Sequence, residues 1–424
     1  METIVPVSFK PTAVSDRSPL DGLSRRILFS MLRLICKGRL ILEEGSFRWV
    51  FGEQGADDVM EARVRVHSPG FYSNIVFGGT IGAGESYMAG EWSADDLTLV
   101  MRLMVKNQQV FNRFDGRWSW SGITDPLFRR FHARRSNTLR GSRKNIAAHY
   151  DLGNDFYALF LDRTMTYSCA FFETEATSLE EASLAKYERI CRKLGISSQD
   201  HVLEIGTGWG GFAEYAAGEY GCRVTTTTIS LEQYSYARER VRRAGLSDRI
   251  EPIMKDYRHL EGLYDKLVSI EMIEAVGFEF LDEFFRCCGR LLKEDGMMAL
   301  QSITIADQVY ENHKETVDFI KRYIFPGGCI PSVTALCDSA TRASDLRLVH
   351  MEDIGLHYAV TLRRWRENFF SNIDQVRALG YPEAFIRMWE YYLCYCEGGF
   401  AERYLGDVQM VFHKPGCREP LRAV

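Results

Sequence analysis

The sequence predicts an α/β fold, a parallel sheet with helices on both faces, behind a small α+β domain. Two patterns predict it. From residue 201 to 302, short apolar or β-branched strands alternate with helical segments at the spacing of a parallel sheet. The first of these strands runs straight into a glycine-rich turn and then a helix. The residues before 125 instead mix short alternating strands, paired glycines and one apolar helix.

With 424 residues, the chain is long enough for two or three domains with their own cores. Its 46% hydrophobic and 26% charged residues are those of an ordinary globular protein. A net charge of −5 gives no global reason to expect nucleic acid. No run reaches the roughly 20 apolar residues of a membrane span. The segment Leu23 to Cys36 carries Arg25, Arg26 and Arg33, reads as an amphipathic helix and lacks the marks of a signal peptide. Eleven cysteines without paired Cys-x-x-Cys spacing point to reduced thiols in a cytoplasm, and no metal site is expected.

Residues 1 to 20 read as a loose arm. Ala62 to His67 and Phe71 to Phe77 read as strands separated by Ser68, Pro69 and Gly70, and Leu97 to Val105 as a helix, which gives an α+β domain over 1–125. Residues 126 to 145 carry Arg129, Arg130, Arg134, Arg135, Arg140, Arg143 and Lys144 with no acidic residue. Two readings stand here: a solvated linker, or an interfacial segment in which each cation near an anionic surface contributes about 1 kcal/mol. The remainder, 146–424, reads as one catalytic domain. Its helix Leu179 to Leu194 opens on a capping box of Ser178 and Glu181. Strands follow at Val202 to Ile205, Cys222 to Ser230, Ile250 to Met254, Lys266 to Ile270 and Met297 to Ser302.

In such a sheet ligands lie beyond the strand C-termini. The turn after the first strand spells Glu-x-Gly-x-Gly-x-Gly through Gly206, Gly208 and Gly210, without the Lys-Ser/Thr pair of a phosphate loop. It resembles the S-adenosylmethionine loop of Rossmann-like methyltransferases, although turns of this shape also close αβ connections that bind nothing. The second strand ends in neutral polar residues, Thr228, Ser230 and Gln233, and the third in Asp256, Tyr257 and Arg258. Tyr257 suits an adenine wall or plain packing. Cys169, Glu271 and Glu274 are the groups with chemistry to offer. A lone cysteine in an apolar run is more often core than nucleophile. A carboxylate after a buried strand needs a partner, such as a helix N-terminus.

Taken together, Ala148 to Tyr157, Thr166 to Ala170, Glu271 to Gly277, Tyr323 to Ser332, His357 to Leu362 and the glycine loop resemble the cyclopropane fatty acid synthase family, which includes the cyclopropane mycolic acid synthases. The resemblance runs from about Gly82 to the C-terminus, and Gly84 to Gly90 is similar to the extra domain of synthases acting on membrane phospholipids. It implies methyl transfer from S-adenosylmethionine to a cis double bond of an unsaturated phospholipid acyl chain, then loss of a proton from the new methyl and ring closure. It also implies a bicarbonate base cradled by Cys169, Glu274, Gln301, the backbone of Ile303, and Tyr358. Tyr167 and Ser168 would lie near the methionine group above Gly206 and Gly208. Thr228, Ser230 and Gln233 would meet the ribose, and Tyr257 and Arg258 would flank the adenine. Phe171, Phe172 and Tyr323 would face the cation or line the acyl chain.

Further implications are an acyl-tunnel lid over about 305–375, peripheral association with the inner face of the membrane, and a homodimer whose interface is not legible. One departure is visible: Gln301 stands where the family has histidine, and an amide donates a hydrogen bond but moves no proton. This leaves open a methyl- or methylene-branched product without ring closure. A lipid-binding protein with a relic fold is the non-catalytic alternative, and the intact glycine loop with Cys169, Glu274 and Tyr358 argues against it.

Overall fold

The computed structural model describes residues 19–53, 60–108 and 152–420. The expectations for the basic segment 126–145 and for most of the N-terminal arm lie outside these. The described residues form two compact units, one of the residues up to 108 with Tyr381–Tyr392, the other of the rest. The stretch Tyr381–Tyr392 therefore groups with the N-terminal unit, although the sequence reading had assigned it to the catalytic domain.

The N-terminal unit contains α1 (Pro19–Leu32), β1 (Arg39–Glu44), β2 (Phe47–Gly52), β3 (Glu61–Val66), α2 (Gly70–Met88), β4 (Trp92–Ala94) and α3 (Leu97–Lys106). Its sheet has the order β2-β1-β3-β4, with β1 and β3 parallel. The expected second strand, Phe71 to Phe77, is instead the first half of α2, which kinks at Gly79 (φ 54°). Packing overrides its aromatic and β-branched composition. Phe71 and Tyr72 are buried, and at Gly82 a Cβ would lie 1.9 Å from the Asn74 carbonyl oxygen, so only glycine lets the two halves of α2 close on each other.

The second unit holds α4 (Asn154–Ala158), α5 (Leu179–Leu194), β5 (His201–Ile205), α6 (Gly211–Tyr220), β6 (Arg223–Thr228), α7 (Leu231–Arg243), β7 (Ile250–Met254), β8 (Tyr264–Ile270), α8 (Leu281–Leu291) and β9 (Leu292–Ile305). There follow α9 (Asp307–Glu315), α10 (Val333–Ala343), β10 (Arg347–Asp353), α11 (Gly355–Ser371), α12 (Ile373–Ala378), α13 (Glu383–Ala401, of which residues through Tyr392 count with the first unit) and β11 (Leu405–His413). The seven-stranded sheet has the order β10-β11-β9-β8-β5-β6-β7. β5 to β9 are parallel, and β11 and β10 join antiparallel.

Alternation along the strands divides the core. Leu203, Leu267, Met298, Leu300 and Met410 pack on one face with Phe284, Phe285 and Leu336. Val202, Val224, Val268, Ala299 and Val411 pack on the other with Ile190, Leu194 and Phe212. The capping box at the start of α5 is present: Ser178 Oγ accepts from Glu181 N at 3.2 Å, and Glu181 Oε2 from Ser178 N at 2.9 Å.

The stretch 305–375 is less of an insertion than its sequence suggests. β10 is an edge strand of the sheet, and Leu336 and Ala340 of α10 belong to the core. The antiparallel β10–β11 pair was not read from the sequence, because α11, α12 and α13 separate its two strands. Among the described residues no helix is long and apolar enough to cross a membrane.

Candidate active site

Strand order reverses between β5 and β8, and the glycine loop leaves β5 at that switch point. Gly206, Gly208 and Gly210 all have positive φ (106°, 50° and 85°), so the loop needs glycine. A Cβ at Gly206 would press within 3.0 Å of Met272, whereas one at Gly208 would meet nothing within 4 Å. Space therefore opens over Gly208, at the N-terminus of α6.

Around this loop the side chains are neutral or already neutralised. Ser230 Oγ caps α7 by accepting from Gln233 N (3.3 Å), and Thr228 Oγ1 donates to Gln233 Oε1 (2.9 Å), which leaves the Gln233 amide group to donate. Arg258 is held by Asp256 through two 2.8 Å bonds, so it offers a planar stem rather than a bare charge. Tyr257 packs against Phe284 at 5.6 Å. Tyr167 sits in an aromatic box, 5.1 Å from Trp365 and 5.3 Å from Tyr157, and Tyr157 lies 4.9 Å from Trp209 of the glycine loop. Ser168 Oγ accepts from the buried ammonium of Lys186 at 2.6 Å. Within β5 itself, burial pushes Glu204 up to about 8, and Thr226 donates to it.

The ends of β8, β9 and β11 carry the charged groups. Glu271, directly after β8, is the centre. Its Oε1 accepts from Cys169 N (2.7 Å) and Gln301 Nε2 (2.8 Å), and its Oε2 from Tyr358 Oη (2.6 Å). Glu274 lies in a short 3₁₀ turn, and its Oε1 accepts from Ile303 N (2.6 Å) and Ser302 Oγ (2.9 Å), while its Oε2 is buried with no hydrogen-bond partner. Neither carboxylate caps a helix, as the sequence reading had allowed.

Burial, then the charge of Glu271, pushes Glu274 up to about 8. Burial, then the charge and a hydrogen bond of Glu271, pushes Asp407 well above the carboxylate range. Glu274 and Asp407 thus both shift toward their protonated forms, while three donors converge on Glu271. Burial raises the Cys169 thiol well above its ordinary value, with Asp407 and Glu271 adding to the shift. Cys169 contributes its backbone N–H, not a nucleophile.

Five of the residues named from sequence, Cys169, Glu274, Gln301, Ile303 and Tyr358, thus gather around one point. Glu271 was noted as a chemical group but not placed in the site. Lys186, Asp407, Gln409 and Lys193 were missed. For Gln409 the only signal is register: it pairs directly with Gln301, and Glu352 with Gln409. The Arg189 guanidinium lies over the ring of Phe171 at 4.0 Å.

The sequence model of the mycolic acid cyclopropane synthetase family matches residues 137–410. The chain is 39% identical over 411 residues to the tuberculostearic acid methyltransferase UfaA1 of Mycobacterium tuberculosis, covering 94% of each chain. It is 37% identical to the cyclopropane-fatty-acyl-phospholipid synthase of Escherichia coli, over 85% of this chain and 90% of that one. Among solved structures, the mycolic acid cyclopropane synthase CmaA1 complexed with SAH and CTAB superposes with a TM-score of 0.60 at 32% identity, covering 64% of this chain and 98% of that one. With the glycine loop at the switch point, these likenesses make the chain a member of the mycolic acid cyclopropane synthetase family and an S-adenosylmethionine-dependent methyltransferase acting on lipid.

Proposed function

We propose that the protein transfers a methyl group to the cis double bond of an unsaturated phospholipid acyl chain and closes a cyclopropane ring. The observation that carries this reading is the enclosed carboxylate site at Glu271 and Glu274, at the switch-point end of the sheet that also bears the glycine loop. A carbocation on a hydrocarbon needs a base and the exclusion of water, and a half-buried, donor-held carboxylate suits both needs.

The open space over Gly208 fits S-adenosylmethionine, whose sulfonium supplies an electrophilic methyl when bound. Gly206 and Gly208 would lie under its methionine portion with Tyr167 and Ser168 nearby. Thr228, Ser230 and Gln233 would meet the ribose, and Tyr257 and Arg258 the adenine. The aromatic box of Tyr157, Tyr167, Trp209 and Trp365 keeps the adjoining region dry and offers π faces to a cation. Residues 307–332 remain as the stretch suited to a lid.

Access from a membrane surface is supported by the N-terminal unit, where Leu20, Leu23 and Phe47 are 58%, 55% and 62% exposed. A second reading, methylation to a branched chain without ring closure, is favoured by the likeness to the tuberculostearic acid methyltransferase.

The test is incubation with S-adenosylmethionine and vesicles of cis-unsaturated phospholipid, followed by mass spectrometry before and after catalytic hydrogenation over a catalyst mild enough to spare a ring. Acyl chains heavier by one CH2 that no longer take up hydrogen establish the ring. The same mass taking up one H2 means a methylene branch, and no mass change removes the reading.

A further inference from the structure

The bicarbonate that the family resemblance implies does not fit this site. Four of the five groups expected to cradle it are committed to the protein's own carboxylates. Cys169 N, Gln301 Nε2 and Tyr358 Oη donate to Glu271, and Ile303 N donates to Glu274. The fifth is Glu274 itself. An added anion would find no donor free among these and would face the carboxylate of Glu271, where like charges repel.

We infer that the side-chain carboxylate of Glu271 is the base of the reaction, built into the chain in place of a bound bicarbonate; this rests on the function proposed above. Three independent features support it. The carboxylate occupies the convergence point of three donors. Its backbone sits at φ 47°, one of three non-glycine residues with positive φ among the described residues. A glycine would be at ease there, whereas a glutamate is strained, so what the position retains is the side chain.

The third feature is that the donor facing Glu271 is set in orientation from a distance. Lys193 Nζ donates to Gln409 Oε1 (2.6 Å), Gln409 Nε2 donates to Gln301 Oε1 (3.0 Å), and Gln301 Nε2 donates to Glu271 Oε1. An ammonium has no acceptor, so it fixes the sense of both amides and turns an N–H, never a carbonyl, toward the carboxylate. Residues paired across β9, β11 and β10 place this relay, since Gln301, Gln409 and Glu352 share one row, and Glu352 Oε2 accepts from Lys193 at 2.6 Å.

In the reaction, the alkene π pair forms the new C–CH3 bond and the sulfonium's C–S pair stays on sulfur, leaving a neutral thioether and a cation on the other alkene carbon. Glu271 then takes a proton from the new methyl, and the released C–H pair closes the ring. The glutamic acid so formed returns its proton to solvent before the next turnover.

The experiment measures turnover of wild type, Glu271→Gln and Glu271→Gly in CO2-free buffer and with added bicarbonate, with melting temperature and S-adenosylmethionine affinity as folding controls. Wild type is expected to be indifferent to bicarbonate. Glu271→Gln should lose about 100-fold or more in turnover while still binding S-adenosylmethionine. Glu271→Gly frees the donors on a backbone that suits glycine, and bicarbonate should restore its turnover roughly tenfold or more. In parallel, line broadening of 13C-bicarbonate is expected with Glu271→Gly and not with wild type. Wild-type turnover that collapses without bicarbonate, bicarbonate binding by wild type, or near-normal Glu271→Gln would each overturn the inference. If wild type modifies no unsaturated phospholipid, the proposed function fails separately, and the 13C measurement still decides what occupies the seat.

Discussion

On the β5–β6 side of the sheet the chain presents backbone, through three glycines at positive φ and a helix N-terminus, and the nearby side chains are neutral or paired. On the β8–β9–β11 side it uses side chains: three carboxylates, of which Asp407 is fully buried, two buried ammonium groups and two buried glutamines. The difference follows from the task. Holding a polar cosubstrate takes space and N–H groups, which a short local sequence can supply. Holding a carboxylate away from water takes donors from several elements, because an unpaired buried charge costs on the order of several kcal/mol.

The comparison can be broken most severely on the backbone side. Gly206→Val puts a β-branched residue at φ 106° against Met272, and S-adenosylmethionine affinity by calorimetry should fall about 100-fold or more. Near-normal affinity would mean that the loop is only a structural turn.

The relay offers a sharper and smaller cut. Lys193→Met removes the donor-only end group, and the Gln301 amide can then turn its carbonyl toward Glu271. Turnover should fall roughly tenfold, about 1.4 kcal/mol, with S-adenosylmethionine affinity unchanged and the ratio of ring to branched product altered. An equal loss in affinity, or an unaltered product ratio, would make Lys193 merely structural.

Membrane access is tested by changing Leu23 and Phe47 to Ser. Vesicle binding should weaken by about tenfold while turnover on detergent-dispersed lipid is kept. Unchanged binding would place the contact elsewhere.

The smallest effect concerns Glu204, whose folded value of about 8 lies above the ordinary 4.5. The native state therefore binds more protons than the unfolded state between these values, and stability is lost as pH rises from about 4.5 through 8. Glu204→Gln should flatten that decline, seen as a melting temperature that falls by a few degrees less between pH 5 and 8. An unaltered slope would assign the pH dependence to other groups, such as Glu274, which shifts in the same direction.

Legibility in the sequence follows the same division. The glycine loop, the capping box at Ser178 and the parallel strands are written in consecutive residues, and the reading located all of them. The α2 error arose where seven consecutive residues look like a strand and a glycine five residues beyond, Gly82, decides otherwise by close contact with Asn74. Gln409, Lys193 and Asp407 carry no local mark. A glutamine in a β-strand means nothing until the register sets it opposite Gln301. Even Glu271, beside Glu274 in the sequence, could not be given its place without knowing that the backbone there turns left-handed.

The dependence of the carboxylate site on β11 bears on how the enzyme comes into being during synthesis. Gln409 and Asp407 lie more than a hundred residues beyond Gln301 and Glu271, and β11 slots between β9 and β10. A nascent chain that has already folded β5 to β9 has a cosubstrate loop but an unoriented base. Orientation of the base thereby waits until the strand with Gln409 has docked, so the two halves of the site are completed at different stages of synthesis.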